Sequence, residues 1–473
     1  MVLQEMLVPT QRVNSFWNES METLHLLRSG QLEGTKKLNL SCGLTQFPSE
    51  IFALAESLEV LELSNNQFKS LPDEFGQLKK LKIVFFNNNA FEEVPDVLSQ
   101  CPALSMVGFK SNQIVRCGAD ALPPTVRWLI LTANKLEQLP ASMGKLNRLQ
   151  KLMLAGNQLR SLPDEMAACQ NLELIRLAAN RLTELPDWLF TLPRLSWLAY
   201  AGNPCSTVAR SAERSLPEIS WLDLTLEDVL GQGASGVISK GIWHAKPAKL
   251  ESQTGSQRTD VAIKIFKGEI TSDGLPTDEM RACIAAGAHG NLVSVLGKLT
   301  HSPEEKAGLV LSFIPPHYKN LGNPPDLDTC TRDTYPSDTV FSLAVLLRIA
   351  QGIAAAAAHL HDRGIMHGDL YAHNILVDET GASLLGDFGA ASFYDSTDPA
   401  IAQTMEWLEV RAFGCLLEDL LDRCVLEDSA VQKATVDRLR ALQQDCMNPI
   451  VSKRPLFSTI CKSLDALNLV NPL

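Results

Sequence analysis

Asp369, Asn374 and Asp387 lie in two nearby runs, Met366-His367-Gly368-Asp369-Leu370-Tyr371-Ala372-His373-Asn374 and Gly386-Asp387-Phe388-Gly389. Phosphoryl transfer needs one carboxylate beside the attacking hydroxyl. It also needs an amide oxygen and a second carboxylate on the magnesium that bridges the nucleotide phosphates. Upstream, Gly231-Gln232-Gly233-Ala234-Ser235-Gly236-Val237-Ile238 would let backbone amides approach phosphates with no Cβ in the way. Alone, that pattern is weak, since any tight hairpin can carry it. Val261-Ala262-Ile263-Lys264 strengthens it, because an apolar, strand-type run ends there in a cation that can steady phosphates as a point charge. A buried ammonium needs a carboxylate partner, and Asp278-Glu279-Met280-Arg281-Ala282-Cys283-Ile284-Ala285-Ala286, apolar at helical spacing, offers two neighbouring acids.

In this order the segments resemble the eukaryotic-type protein kinase superfamily, over about residues 225–473. Leu309-Val310-Leu311-Ser312-Phe313-Ile314 resembles the strand and hinge that grip adenine, with Leu311 as gatekeeper. The run from Leu343 to Arg363 resembles the long helix before the catalytic loop, and Lys453-Arg454-Pro455-Leu456-Phe457 the family's late arginine motif. The resemblance implies an ATP- and magnesium-dependent enzyme. Asp369, Lys264 and Glu279 would be catalytic, with Glu279 rather than Asp278 pairing Lys264. Gly231, Gly233, Ser235, Gly236, Ile238, Ala262, Lys264, Leu311, Phe313 and Leu376 would bind ATP, and Asn374 and Asp387 would hold Mg2+.

The departures from that family are informative. Gly368 stands where most members have the arginine that binds an activation-loop phosphate, so control through Ser392, Tyr394, Ser396 or Thr397 is not expected. Tyr371 replaces the lysine usual in serine/threonine kinases. Glu409-Val410-Arg411-Ala412-Phe413-Gly414 resembles the start of the central large-lobe helix, with Glu for the usual Asp. The interval from Asp387 to Glu409 contains no Ala-Pro-Glu, and is roughly a dozen residues shorter than usual, the missing part being the peptide-docking platform. Arg454 then either takes Glu406 or lacks its usual partner. A short segment with a His-Gly-Asp loop also resembles aminoglycoside and choline phosphotransferases, so a small-molecule acceptor stays open, as does a nucleotide-binding pseudokinase scaffold. Against these stand the Val-Ala-Ile-Lys strand, the Arg-Pro motif and the retained lysine and aspartates.

The first 205 residues repeat. Leu58, Leu81, Leu104, Val126, Leu149, Leu172 and Leu195 recur at steps of 23 with one of 22, and Asn66, Asn89, Asn112, Asn134, Asn157, Asn180 and Asn203 follow in register. This resembles leucine-rich repeats, whose asparagines form a ladder satisfying backbone groups. With an irregular unit from Thr35 through Leu38, Leu40 and Phe47-Pro48 there are about eight units, and residues 1–34 form a helical cap. Strand alternation puts Val60, Ile83, Phe85, Met106, Trp128, Ile130, Met153, Leu174 and Trp197 on the concave face, with Arg176 at the same offset. Large apolar side chains there read as a surface for a protein or peptide partner, or in part for the chain's own second domain.

The expected fold class is an α/β leucine-rich-repeat solenoid with a curved parallel sheet, followed by an α+β bilobal protein-kinase-like fold. The expected domains are a cap at 1–34, repeats at 35–205, a linker at 206–224 and a kinase domain at 225–473. A length of 473 with 45% hydrophobic residues suffices for two cores, and a net charge of −12 argues against nucleic acid or anionic membrane as partner. The 11 cysteines lack paired spacing, which suggests free thiols in a reducing compartment, with Cys205 beside the last repeat. Neither a secretion leader nor a membrane span is expected, and a cytoplasmic location follows. Pro315 to Asp338, rich in Pro, Asp and Thr, reads as a loop over the nucleotide mouth.

Overall fold

A computed structural model describes residues 9–206, 216–233, 235–245, 257–268, 270–427 and 429–468. The chain divides into two compact units, Met1–Leu172 with Asn180–Trp188, and Glu173–Ala179 with Leu189–Leu473.

The first unit opens with helix α1 (Pro9–Arg28), and six repeats each give one short strand to its main sheet: β1 (Lys37–Asn39), β2 (Val60–Glu62), β3 (Ile83–Phe85), β4 (Met106–Gly108), β5 (Trp128–Ile130) and β6 (Lys151–Met153), while Glu93–Val94 and Arg116–Cys117 pair in parallel apart from it. They pair in parallel and in sequence order, so Leu38 meets Leu61, then Val84, Val107, Leu129 and Leu152, all buried. Most repeats return through a 3-10 turn that follows an extended proline, such as Pro72 or Pro140, whose fixed φ begins the turn, whereas the repeat after Met106–Gly108 returns through the short strand Arg116–Cys117. The asparagines hold the stack. Asn112 Oδ1 accepts from the Phe91 amide at 3.1 Å while its Nδ2 donates to the carbonyls of Phe86 at 2.9 Å and Phe109 at 3.2 Å. Val60, Ile83, Phe85, Trp128 and Ile130 are half-buried, but Met106 and Met153 are buried, so these two offer a partner no open surface.

The second unit contains the last two repeat strands, β7 (Leu174–Arg176) and β8 (Trp197–Ala199), paired in parallel. Next come β9 (Glu218–Ser220), β10 (Leu224–Gln232), β11 (Gly236–Ala245), β12 (Gln257–Phe266), helix α2 (Pro276–Ala286), β13 (Val295–Thr300) and β14 (Gly308–Ser312). The sheet order is β9-β13-β14-β12-β11-β10, antiparallel except for β9 against β13. Its core is Ile219, Val261, Ile263, Leu299 and Val310. β9 arises inside the stretch read as a linker, of which 207–215 lie outside the described residues.

The larger lobe is helical: α3 (Leu343–His361), the strands β15 (Ile375–Val377) and β16 (Ser383–Leu385), then α4 (Pro399–Leu421), α5 (Ala430–Cys446) and α6 (Phe457–Asn468). Among the described residues α3 alone is long and apolar enough to cross a membrane; here it is mostly buried and packs against α4 and α6. The central helix does not start at Glu409. Asp398 caps α4 by accepting from the Ala400 and Ile401 amides, with Pro399 in the first turn, so Glu409 lies mid-helix.

Candidate active site

The β10–β11 hairpin closes with the Gly233 amide donating to the Gly236 carbonyl at 3.0 Å. A Cβ on Gly236 would stand 2.5 Å from the Ile265 carbonyl oxygen, so close backbone approach requires glycine there, whereas Gly231 and Gly233 face open space. Strand register then sets Ile238 opposite Lys264, and Ala262 opposite Leu311. Ser235, Phe313 and Leu376 are half-buried on the hairpin, beyond β14 and on β15 respectively. Lys264 Nζ bonds Glu279 Oε1 from α2, and Asp278 instead bonds Arg281 at 3.0 Å. Burial alone would lower the Lys264 pKa, but the Glu279 and Asp387 carboxylates outweigh it and hold the ammonium above its ordinary value.

In the catalytic-loop run, Asn374 Nδ2 donates to Asp369 Oδ2 at 2.7 Å and to the Asp369 carbonyl at 2.9 Å. Asp387 adopts a positive φ of 55°, which aspartate tolerates better than most residues, and its Oδ1 accepts from the Gly389 amide at 3.1 Å. Glu409, buried in α4, organises the loop from below. Its Oε1 accepts from the Gly368 amide at 2.6 Å, and its Oε2 accepts from the His367 amide at 3.1 Å and lies 2.8 Å from His361 Nε2. His367 Nε2 in turn meets the Gly386 carbonyl at 2.9 Å, joining the two motif runs. His373 Nδ1 lies 2.7 Å from Asp333 Oδ1, while Arg332 Nη1 and Nη2 each donate at 2.6 Å to Glu418 and Asp419 of α4. The Pro315–Asp338 segment is therefore fastened to the catalytic loop and α4 at Arg332 and Asp333.

A residue that sequence reasoning did not place in the site sits on the catalytic aspartate candidate. Arg176 of β7, 2% exposed, donates from Nε to Asp273 Oδ1 at 2.7 Å, from Nη1 to the Gly368 carbonyl at 2.9 Å, and from Nη2 to Asp369 Oδ1. Trp197 stacks on Tyr371 at 4.3 Å with an 8° interplanar angle, and its Nε1 donates to the Leu370 carbonyl at 3.2 Å. The Tyr200 and Ala201 amides donate to Ser392 Oγ at 2.9 and 3.1 Å. Leu174 and Trp197 are buried, at 2% and 1% exposure, which corrects their reading as an open partner surface and, for Trp197, agrees with the alternative of packing in part against the chain's own second domain. Alternation gave their face correctly but could not say what lay against it. Arg454 donates to the carbonyls of Asn448, Trp407 and Pro193, not to Glu406, whose Oε1 accepts from the Phe457 amide. Burial, with Arg411 nearby, pushes Arg454 down to about 9.

Burial raises the Asp369 pKa, Arg176 opposes the rise, and Asp273 and Asp387 add to it. The Arg176 guanidinium stays charged, because Asp369 and Asp273 overcome the effect of its burial. Asn374 and Asp387 present oxygen donors suited to a hard cation. No cluster of three or more His, Cys, Asp or Glu that could hold a metal occurs among the described residues. A magnesium ion here would complete its shell with phosphate oxygens and water, as that ion ordinarily does.

Residues 224–413 match the family described as protein tyrosine and serine/threonine kinase, and residues 56–114 and 124–182 match leucine-rich repeats. The chain is 24% identical over 329 residues to fibroblast growth factor receptor 1 of Pleurodeles waltl, covering 58% of this chain and 39% of that protein. It is 28% identical over 194 residues to the serine/threonine-protein kinase PkaA of Streptomyces coelicolor, covering 40% and 33%. To cyclin-dependent kinase 11B of Homo sapiens it is 30% identical over 226 residues, covering 43% and 26%. The chain thus spans well under half the length of these relatives. A solved leucine-rich-repeat protein of Leptospira interrogans is similar over 38% of this chain and 52% of that one, with a TM-score of 0.33 and 30% identity.

Proposed function

Starting from a chain that joins leucine-rich repeats to an ATP-binding protein kinase domain, we propose that it is a magnesium-dependent protein kinase that phosphorylates serine or threonine. The observation that carries this reading is the Lys264–Glu279 ion pair, formed with Asp387 close enough to act on both groups. Lys264 steadies the α and β phosphates, and the hairpin amides around Gly231 and Gly233 lie over them. Asp369 orients the acceptor hydroxyl and takes its proton as the oxygen–phosphorus bond forms and the β–γ bridging bond breaks, releasing ADP. Asn374 and Asp387 would hold the magnesium, which supplies charge neutralisation at the phosphates. The half-buried Val60, Ile83, Phe85, Trp128 and Ile130 select a protein partner, and the 11 free thiols support a reducing, cytoplasmic setting.

Purified full-length chain should transfer phosphate from radiolabelled ATP with magnesium to itself or to a generic protein acceptor. Lys264→Met and Asp387→Asn should each lower the rate by roughly 100-fold or more. A wild-type chain that binds nucleotide without transferring phosphate would establish the scaffold reading instead. One observation favours a small-molecule acceptor as the second reading: Trp197 stacks on Tyr371, two residues after Asp369, and the Tyr200 hydroxyl donates to the Phe393 carbonyl, so repeat residues cover part of the catalytic loop and of the segment after Asp387. Metabolite alcohols assayed beside polypeptides distinguish the two.

A further inference from the structure

The catalytic loop lacks both cations that the kinase pattern places around its aspartate, with Gly368 before it and Tyr371 two residues after. Both positions are where the repeat strands touch the loop. Gly368 has φ +71°, and a Cβ there would stand 2.5 Å from the Leu198 carbonyl oxygen and 2.7 Å from that of Ala390, so β8 leaves room for glycine alone. Tyr371 lies flat under Trp197. Into this place the repeats send Arg176, whose three nitrogens bond Asp273, the Gly368 carbonyl and Asp369.

We propose that Arg176 is a positioning residue for phosphate transfer, a cation lent by the seventh repeat strand that fixes the Asp369 carboxylate against Asn374. The inference rests on Asp369 being the acceptor of the hydroxyl proton. Arg176 engages Oδ1 and Asn374 engages Oδ2, so the carboxylate plane is held from two sides. A carboxylate has about four acceptor directions, and the Asp369 side chain keeps 17% exposure, so a hydroxyl can still reach it. A guanidinium suits this role better than an ammonium. Its rigid fork makes the Gly368 carbonyl bond and the Asp369 bond together, with Asp273 setting the angle. Holding a reacting group in productive geometry before substrate arrives lowers the barrier without changing nucleotide affinity.

The test uses the full-length chain with Arg176→Gln, Arg176→Lys and the double variant Arg176→Gln with Asp273→Asn, which leaves Asp273 with no unpaired charge. Four quantities are read: kcat for transfer to a generic protein acceptor, KM for ATP, calorimetric affinity for a non-hydrolysable ATP analogue, and melting temperature. Loss of a charge-assisted hydrogen bond used in the transition state predicts a fall in kcat of about 30-fold in Arg176→Gln and in the double variant. KM and analogue affinity should stay within about threefold, and Arg176→Lys should recover part of the rate, since a point charge replaces one arm of the fork. A kcat that is unchanged or raised in Arg176→Gln would overturn the proposal, the latter by showing that the arginine blocks Asp369. Loss of analogue binding in step with kcat, with no recovery by lysine, would overturn it in favour of a purely structural contact. A wild type that binds the analogue and transfers nothing would remove the underlying functional reading and this inference with it.

Discussion

At the scale of single residues, Glu409 shows how one side chain sets the catalytic loop. A glutamate rising from the middle of α4 accepts from two loop amides and meets His361, a task for which aspartate would be one methylene short. Burial would raise this carboxyl's pKa, but the hydrogen bond and charge of His361, with the backbone bond from Gly368, hold it below the ordinary value. A depressed carboxylate contributes stability that is present above its unfolded pKa and is lost as pH falls through its folded one. The melting temperature of the wild type should therefore fall steeply below about pH 4, and Glu409→Gln should flatten that limb. Glu409→Ala leaves two amides and the Nε2 of His361 without their partner in the interior, at a cost of about 3 kcal/mol or more, and should lower the melting temperature accordingly.

At the scale of elements, the segment after Asp387 is held by packing. Ser392 is fully buried with Oγ accepting from two repeat amides, and Tyr394 is buried with its hydroxyl 2.8 Å from His361 Nδ1, whereas Ser396 and Thr397 are exposed. Gly368 supplies no side chain to receive a phosphate. Phosphatase treatment should leave the transfer rate within about twofold; a tenfold fall would show that another cation has taken that role. The repeat element makes a second, separable prediction. Trp197→Ala removes the ring under which Tyr371 lies, and a buried tryptophan truncation costs about 3–5 kcal/mol, so transfer to every acceptor should fall. Trp128→Ala should impair only the partner selected by the repeats. Comparing a generic acceptor with a repeat-bound substrate for the two variants checks both; equal effects on both acceptors would exclude the repeats as the selecting surface.

At the scale of the whole molecule, the compact unit that carries the candidate site begins at Glu173, inside the repeats, rather than at the kinase motifs. A fragment of residues 225–473 loses Arg176, Trp197 and Tyr200, along with the Ser196 hydroxyl that accepts from Arg411 at 2.6 Å and the Pro193 carbonyl that accepts from Arg454. It should be recovered unfolded or inactive, whereas the full chain should transfer phosphate; a well-folded fragment with undiminished turnover would show the strands to be dispensable. The sequence by itself determined the 23-residue period, the asparagine ladder and the runs around Lys264, Glu279, Asp369, Asn374 and Asp387. These are local patterns, in which residue type and spacing are dictated by strand pairing, turn geometry or phosphate chemistry within a short stretch. It also registered Gly368 and Tyr371 as departures, and put Leu174, Arg176 and Trp197 on one face. Only the tertiary structure decided that the departures and that face meet. Arg176 and Asp369 are 193 residues apart, and no periodicity links them. Their contact follows from a repeat face and a catalytic loop packing within one compact unit, and the identity of a side chain's partner across such a surface is fixed by packing, which composition and spacing do not encode.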